Sequence, residues 1–268
     1  MLLLTSRGEQ ASIAHLQDIY KGASVILFGS SPNLLQTMPP GTEFDHVVTA
    51  AVGHAAEFHK PDLWFGAHNP KCYSTRTTSD PTIAKFIPLA FMPPGDQQPN
   101  TFFFRREPDV PFAEIFTPRQ SIPWYGSSLM CALPILYHLG FRDIYLIGFS
   151  FGKVAHELYP LSTSQSETEQ SMTVARYDNS HNQLKMLKDV VADYGLRIVD
   201  CTESQMLAGT YETMTKRQMY DEVRNKIKVE HIPFANRPHP SSFVSVDLPK
   251  GVKPEDVKPP SGPVMREL

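Results

Sequence analysis

Three stretches of the chain place small or amide residues directly behind an apolar run: Gly29-Ser30-Ser31-Pro32-Asn33, Ala67-His68-Asn69-Pro70 and Gly148-Phe149-Ser150. At the carboxyl end of a parallel strand such residues let backbone N–H groups face a phosphate, and Pro32 suits the first turn of a following helix. A fourth stretch, Gly126-Ser127-Ser128, heads a predicted helix, where orphan N–H groups and the helix dipole favour an anion. Each alone is an ordinary turn. The four together point to a nucleotide phosphate, although the G-x-G-x-x-G fingerprint and the Walker lysine are both missing.

Among the histidines, His181 stands out because it follows a polar stretch and opens a helix, a place from which an imidazole can reach a crevice as general base. The plainer role is a helix-start residue facing solvent. His54, His59 and His68 lack carboxylate companions and i, i+4 spacing, so no metal site is expected, and His138 on an apolar helix is expected to be packed. A competing chemistry is written in Gly148-Phe149-Ser150-Phe151-Gly152, which fits the nucleophile elbow G-x-S-x-G. There Ser150 would be the nucleophile, His181 or His231 the base, and Asp178 or Asp200 the orienting acid. The elbow requires an immediate helix, and Lys153 to Leu158 is short before Pro160.

The elements that must position these residues alternate. Continuous apolar strands are predicted at Ala23–Phe28, Asp45–Ala50, Asp62–Gly66, Asp143–Gly148 and Leu196–Cys201, with helices over Leu129–Leu139, closed by Gly140, and from His181 to Gly195. This βαβ rhythm predicts a Rossmann-like α/β fold, a mostly parallel sheet with helices on both faces. The segment from Tyr125 to Gly152 is expected to form one side of the site. Residues 1–22 read as an N-terminal extension, 23–210 as the nucleotide-binding catalytic domain, 211–232 as a C-terminal helix and 233–268 as a Pro-rich extended tail. The proline-punctuated region from Ser74 to Gln120 holds one or two shorter strands, and the polar stretch at about 156–176 reads as a lid.

With 25 basic and 28 acidic side chains, the composition carries no footprint of non-specific nucleic-acid or membrane binding. Cys72, Cys131 and Cys201 are odd in number and far apart, so they read as thiols of a reducing compartment. The run Met1-Leu2-Leu3-Leu4 is too short for a signal h-region, and no stretch approaches the roughly 18 apolar residues of a spanning helix. The expectation is a cytoplasmic protein without a transmembrane segment, compatible with a homo-oligomer.

Taken in order, these blocks resemble the bacterial lipo-oligosaccharide sialyltransferases of glycosyltransferase family 42. They also resemble related prokaryotic and phage proteins that include archaeal-type hydroxymethylpterin diphosphokinases. The resemblance spans about 23–210 and is carried by Val25–Leu34, Phe44–Val48, Trp64–Pro70, Gly126–Ala132, Gly140–Phe151 and His181 ahead of Tyr194-Gly195. It implies a glycosyltransferase type A variant that uses a nucleotide-sugar donor and a glycan or other hydroxyl acceptor, without a metal or further cofactor. By position it makes His181 the base, sets Asn69 against the nucleotide and Gly126 with Ser127 on the donor phosphate, and makes the stretch from His156 to Arg176 the lid. The chain departs from the family at Ser30 and Ala50, where the family has asparagines, and at Ser150 and Gly152, where it has an acid and a tyrosine. Tyr159 or Tyr177 could supply the missing hydroxyl from the lid. Beside the transferase stand the Ser150 hydrolase, a diphosphokinase, which would need clustered carboxylates, and a non-catalytic phage or envelope protein that retains the fold.

Overall fold

The computed structural model describes residues 2–5, 10–12, 16–31, 34, 44, 47–92, 100–108, 110–149, 178–204 and 207–224. Its strands are β1 (Leu2–Thr5), β2 (Gln10–Ser12), β3 (Ser24–Phe28), β4 (Val48–Val52), β5 (Leu63–Phe65), β6 (Ala84–Pro88), β7 (Thr101–Phe104), β8 (Arg106–Glu107), β9 (Ile122–Pro123), β10 (Asp143–Ile147), β11 (Arg197–Asp200) and β12 (Glu212–Thr213). The α-helices are α1 (Thr75–Thr78), α2 (Ser128–His138), α3 (residues 178–186), α4 (Lys188–Asp193) and α5 (Lys216–Arg224).

The apolar runs become strands because both of their faces are covered. In β3, Val25 and Leu27 enter one hydrophobic core while Ile26 and Phe28 enter the other, and all five residues are buried. In β10, Ile144 and Leu146 join the first core, Tyr145 and Ile147 the second. The ten-stranded sheet runs β12-β11-β10-β3-β4-β5-β6-β7-β1-β2. Pairing is parallel from β12 through β7 and antiparallel for β7 with β1 and β1 with β2. The α/β, Rossmann-like, mostly parallel fold expected from the sequence is therefore present, and part of the expected N-terminal extension adds two strands to it.

From β3 the chain steps through β4, β5, β6 and β7 in one direction, then returns to place β10 on the other side of β3. Helices α2, α3 and α4 pack on the Val25 face, and α5 packs on the Ile26 face through Met219 and Val223. The connections leading from β3 toward β5 lie on the Ile26 face, with Leu34, Phe44, Ala55 and Ala56 in its core, and those leading to β10 and β11 lie on the Val25 face, the division that right-handed crossovers require. The strand order reverses between β3 and β10, which makes this the topological switch point of the sheet.

Three boundaries differ from the sequence reading. The second strand ends at Val52, just before the short 3-10 helix Gly53–Glu57, so Ala50, expected as the last residue of the strand, lies inside β4 and fully buried. The Ser74–Gln120 region supplies β6 and β7 of the main sheet, and β8, which forms a small parallel pair with β9. The last helix spans Lys216–Arg224 and is preceded by β12; the tail beyond 224 lies outside the described residues. Helix α2 matches its expected span within one residue, and Gly140 follows its C-cap at φ +106°. Among the described residues no helix is long and apolar enough to cross a membrane.

Candidate functional site

At the switch point the turns behind β3 and β10 are zipped together. The Gly29 N–H donates to the Ile147 carbonyl at 2.8 Å and the Ser31 N–H to the Gly148 carbonyl at 2.9 Å. A Cβ on Gly29 would lie 2.4 Å from the Gly148 oxygen, and one on Gly148, at φ +72°, would lie 2.6 Å from the Gly29 oxygen. No side chain fits at either position, which accounts for the paired glycines. Two N–H groups of the first turn thus hold the neighbouring turn; Ser31 is buried and Ser30 half-buried. Pro32, Asn33 and Ser150 lie outside the described residues, as do Phe151, Gly152, the expected lid with Tyr159, Tyr177 and His231.

The third turn stands at the head of α2. Ser127 occupies the N-cap with extended backbone, but its hydroxyl makes no capping hydrogen bond. Gly126 is exposed, with Ser127 and Ser128 half-buried beside it. Two amides of α3 pin the turn, since Gln183 Nε2 donates to the Tyr125 carbonyl at 2.8 Å and Asn179 Nδ2 to the same oxygen at 3.4 Å. From the other side Tyr125 stacks on Phe112 (4.7 Å between centroids) and donates its hydroxyl to the Val110 carbonyl at 2.7 Å. Burial pushes the Tyr125 phenol up to about 12, so it stays protonated and keeps donating. The outcome is a helix start at the carboxyl edge that is held from both sides and whose N-cap hydroxyl makes no capping hydrogen bond. Cys131, in the first turns of α2, is fully buried with its thiol raised by burial, and so is inert as a nucleophile.

His181 lies within α3 and is only 7% exposed, which overturns the solvent-facing alternative. Helical geometry puts Asn179 and Gln183, one turn apart, on the flank that meets Tyr125. At about 100° per residue, His181 lies roughly 160–200° around the helix from both. The contact of α3 with the Gly126 turn is therefore made by amides that the sequence reading did not single out.

Behind β5, Asn69 is half-buried and its Oδ1 accepts the Lys71 N–H at 3.0 Å, capping the short 3-10 helix Pro70–Cys72. Its Nδ2 makes no hydrogen bond to another described residue. Asp200, one of the acids considered for a hydrolase, is buried and turned onto its own chain, with Oδ1 accepting the Thr202 N–H at 2.9 Å and hydroxyl at 2.5 Å. The remaining described histidines are spread out. His54 has a carboxylate companion after all, Glu57 at 2.8 Å; His59 is buried against Phe28; His68 meets the edge of Trp124; and His138 is packed, as expected. Among the described residues no cluster of three His, Cys, Asp or Glu could hold a metal.

Sequence reading also passed over Arg106. Its guanidinium lies 4.8 Å from the Trp124 ring centroid and 5.6 Å from that of Phe91, with Nη1 directed at the Ala67 carbonyl at 3.5 Å. It therefore bridges the loop behind β5 and the strand leading to Gly126. The signal was present in Phe102-Phe103-Phe104-Arg105-Arg106, an apolar run ending in cations, but not the strand neighbours that give it meaning. No protein-family model matches the chain, and no curated protein or solved structure matches it.

Proposed function

We propose that the protein is a glycosyltransferase that moves a sugar from a nucleotide-sugar donor to an acceptor hydroxyl by direct displacement. The observation that carries this reading is the meeting of the Gly29–Ser31 and Gly148–Phe149 turns at the switch point of a parallel sheet, the place where such sheets take a nucleotide. The uncapped start of α2 at Gly126 and Ser127 supports a role in holding the donor phosphate. In the displacement the acceptor oxygen forms the new bond to the sugar carbon while its proton passes to a general base, the role the resemblance gives to His181, which stands on the flank of α3 opposite the amides that meet the Gly126 turn. The bond from that carbon to the phosphate oxygen breaks, its electron pair leaves with the nucleotide, and the N–H groups of Gly126 and Ser127 stabilise the departing charge.

Thermal shift against cytidine, uridine, guanosine and adenosine nucleotides tests the reading. One base class should raise Tm, and silence from all four would end the proposal. With the matching donor and an accepting glycan, His181→Ala should lower transfer by about 10²–10⁴-fold while leaving nucleotide binding intact. Undiminished transfer would remove His181 from the role.

A further inference from the structure

The other half-buried arginines among the described residues each meet a carboxylate: Arg119 meets Glu107 and Glu114, Arg142 meets Asp18, and Arg197 meets Asp143, Glu212 and Glu222. Arg106 meets none among them. Its neighbours are the rings of Trp124 and Phe91 and one carbonyl, that of Ala67. A guanidinium held over aromatic rings has its faces covered and its N–H edge left for in-plane bonds, the geometry that grips a carboxylate or phosphate with two parallel hydrogen bonds.

The place of this group in the fold separates it from the nucleotide. Ala67 follows β5 and Phe91 follows β6, so the guanidinium sits two to three strands from β3, or roughly 10–14 Å along the sheet from the switch point. Trp124 is nevertheless only two residues before Gly126, so the guanidinium stands near the same helix start. A ligand lying here would approach Gly126 from the β5–β6 side while a nucleotide approached from β3 and β10. We infer that Arg106, Trp124 and Phe91 form the subsite for the second substrate, and that this acceptor carries an oxyanion, a carboxylate or a phosphate, beside an apolar ring face. The word acceptor rests on the transferase reading; the oxyanion preference does not.

The test uses the full chain, three sugars and the nucleoside monophosphates. Binding of glucose, glucuronate and glucose 6-phosphate is measured by calorimetry or ligand-observed NMR, with the nucleoside monophosphates as probes of the switch point. Either or both anionic sugars should bind at least tenfold tighter than glucose, and the tighter of the two identifies the oxyanion. Arg106→Met should abolish the preference, Arg106→Lys should keep part of it, and nucleotide binding should be unchanged in both. Equal affinity for the three sugars, no binding of any, or a preference that survives Arg106→Met would overturn the inference. Should Arg106→Met fail to fold, the wild-type comparison and Arg106→Lys still decide. Sugar-acid preference without nucleotide binding would sink the donor reading and leave this inference standing; nucleotide binding without the preference would do the reverse.

Discussion

At the amino edge of the sheet Arg197, first residue of β11, grips both oxygens of Glu222 on α5 at 2.6 and 3.3 Å and also reaches Glu212 and Asp143. At the carboxyl edge Gly29 and Gly148 press backbone against backbone. Tyr145 adds its hydroxyl to Glu222 at 2.8 Å, and the carboxylates raise the Arg197 guanidinium well above its ordinary value, Glu222 contributing most. The amino edge also contains His138, which burial lowers to about 4, and Lys85, which burial lowers to about 8. One edge is thus secured by charges whose strength depends on pH and salt, and the other by steric fit and neutral hydrogen bonds. The ion pairs at the carboxyl side, His54 with Glu57 behind β4 and Arg119 with Glu107 and Glu114, stand away from the β3–β10 junction itself, which backbone contacts alone hold.

The largest effect should come from Gly148→Ala. A methyl group would meet the Gly29 oxygen and Leu34 while forcing φ +72° on an L-residue, at a cost of about 3 kcal/mol, or roughly 6–12 °C in Tm. Denaturant titrations should give the same loss at acid and neutral pH. A pH-dependent loss would erase the contrast between the edges, and nucleotide stabilisation should vanish with the turn.

His138 sharpens the contrast from the other side. Its Nε2 is buried without a hydrogen-bond partner among the described residues, and its native pKa of about 4 lies below its ordinary value of 6.5. The native state therefore binds fewer protons than the unfolded chain in that window, so stability falls as pH drops from 6.5 toward 4. His138→Leu should remove up to about 2–3 kcal/mol of that fall, seen as a flatter acid limb, with ligand binding unaffected. An unchanged acid limb would show that another group drives it.

The smallest effect belongs to Arg197→Met. The side chain is 34% exposed, so solvent screening limits the cost to about 1 kcal/mol, and high salt should shrink it further. A salt-independent loss above that would mean that packing, not charge, holds α5 to the sheet.

Five of the ten strands of the main sheet, β3, β4, β5, β10 and β11, were legible because buried parallel strands are apolar on both faces, as in Ala23–Phe28 and Asp143–Gly148. The region from Ser74 to Gln120 resisted for a physical reason. Strand β6 reads Ala84-Lys85-Phe86-Ile87-Pro88, and a lysine at its second position breaks the apolar run. The fold buries that lysine by giving its Nζ the carbonyls of Asp80, at 2.5 Å, and Ile83, at 3.1 Å, a solution invisible before the neighbouring turn is known. At the candidate site the glycine turns were found from their position after strands. Gln183, Asn179 and Arg106 were not, because each acts on a partner distant in sequence, Tyr125 for the amides and Trp124 and Ala67 for the arginine.

The pairing of β3 with β10 also fixes an order of assembly. Strands β4 to β7 follow β3 closely in the chain, but Ser24 aligns with Asp143 and Phe28 with Ile147, so one edge of β3 has no partner until more than half the chain has been made. Contacts of such long sequence separation form slowly, and an apolar edge waiting for its strand invites association with other chains. The crevice therefore cannot appear until the chain has been made past residue 148. A nascent chain stopped before residue 143 would lack it entirely and would expose Val25–Phe28 to whatever chaperone or neighbouring strand arrives first.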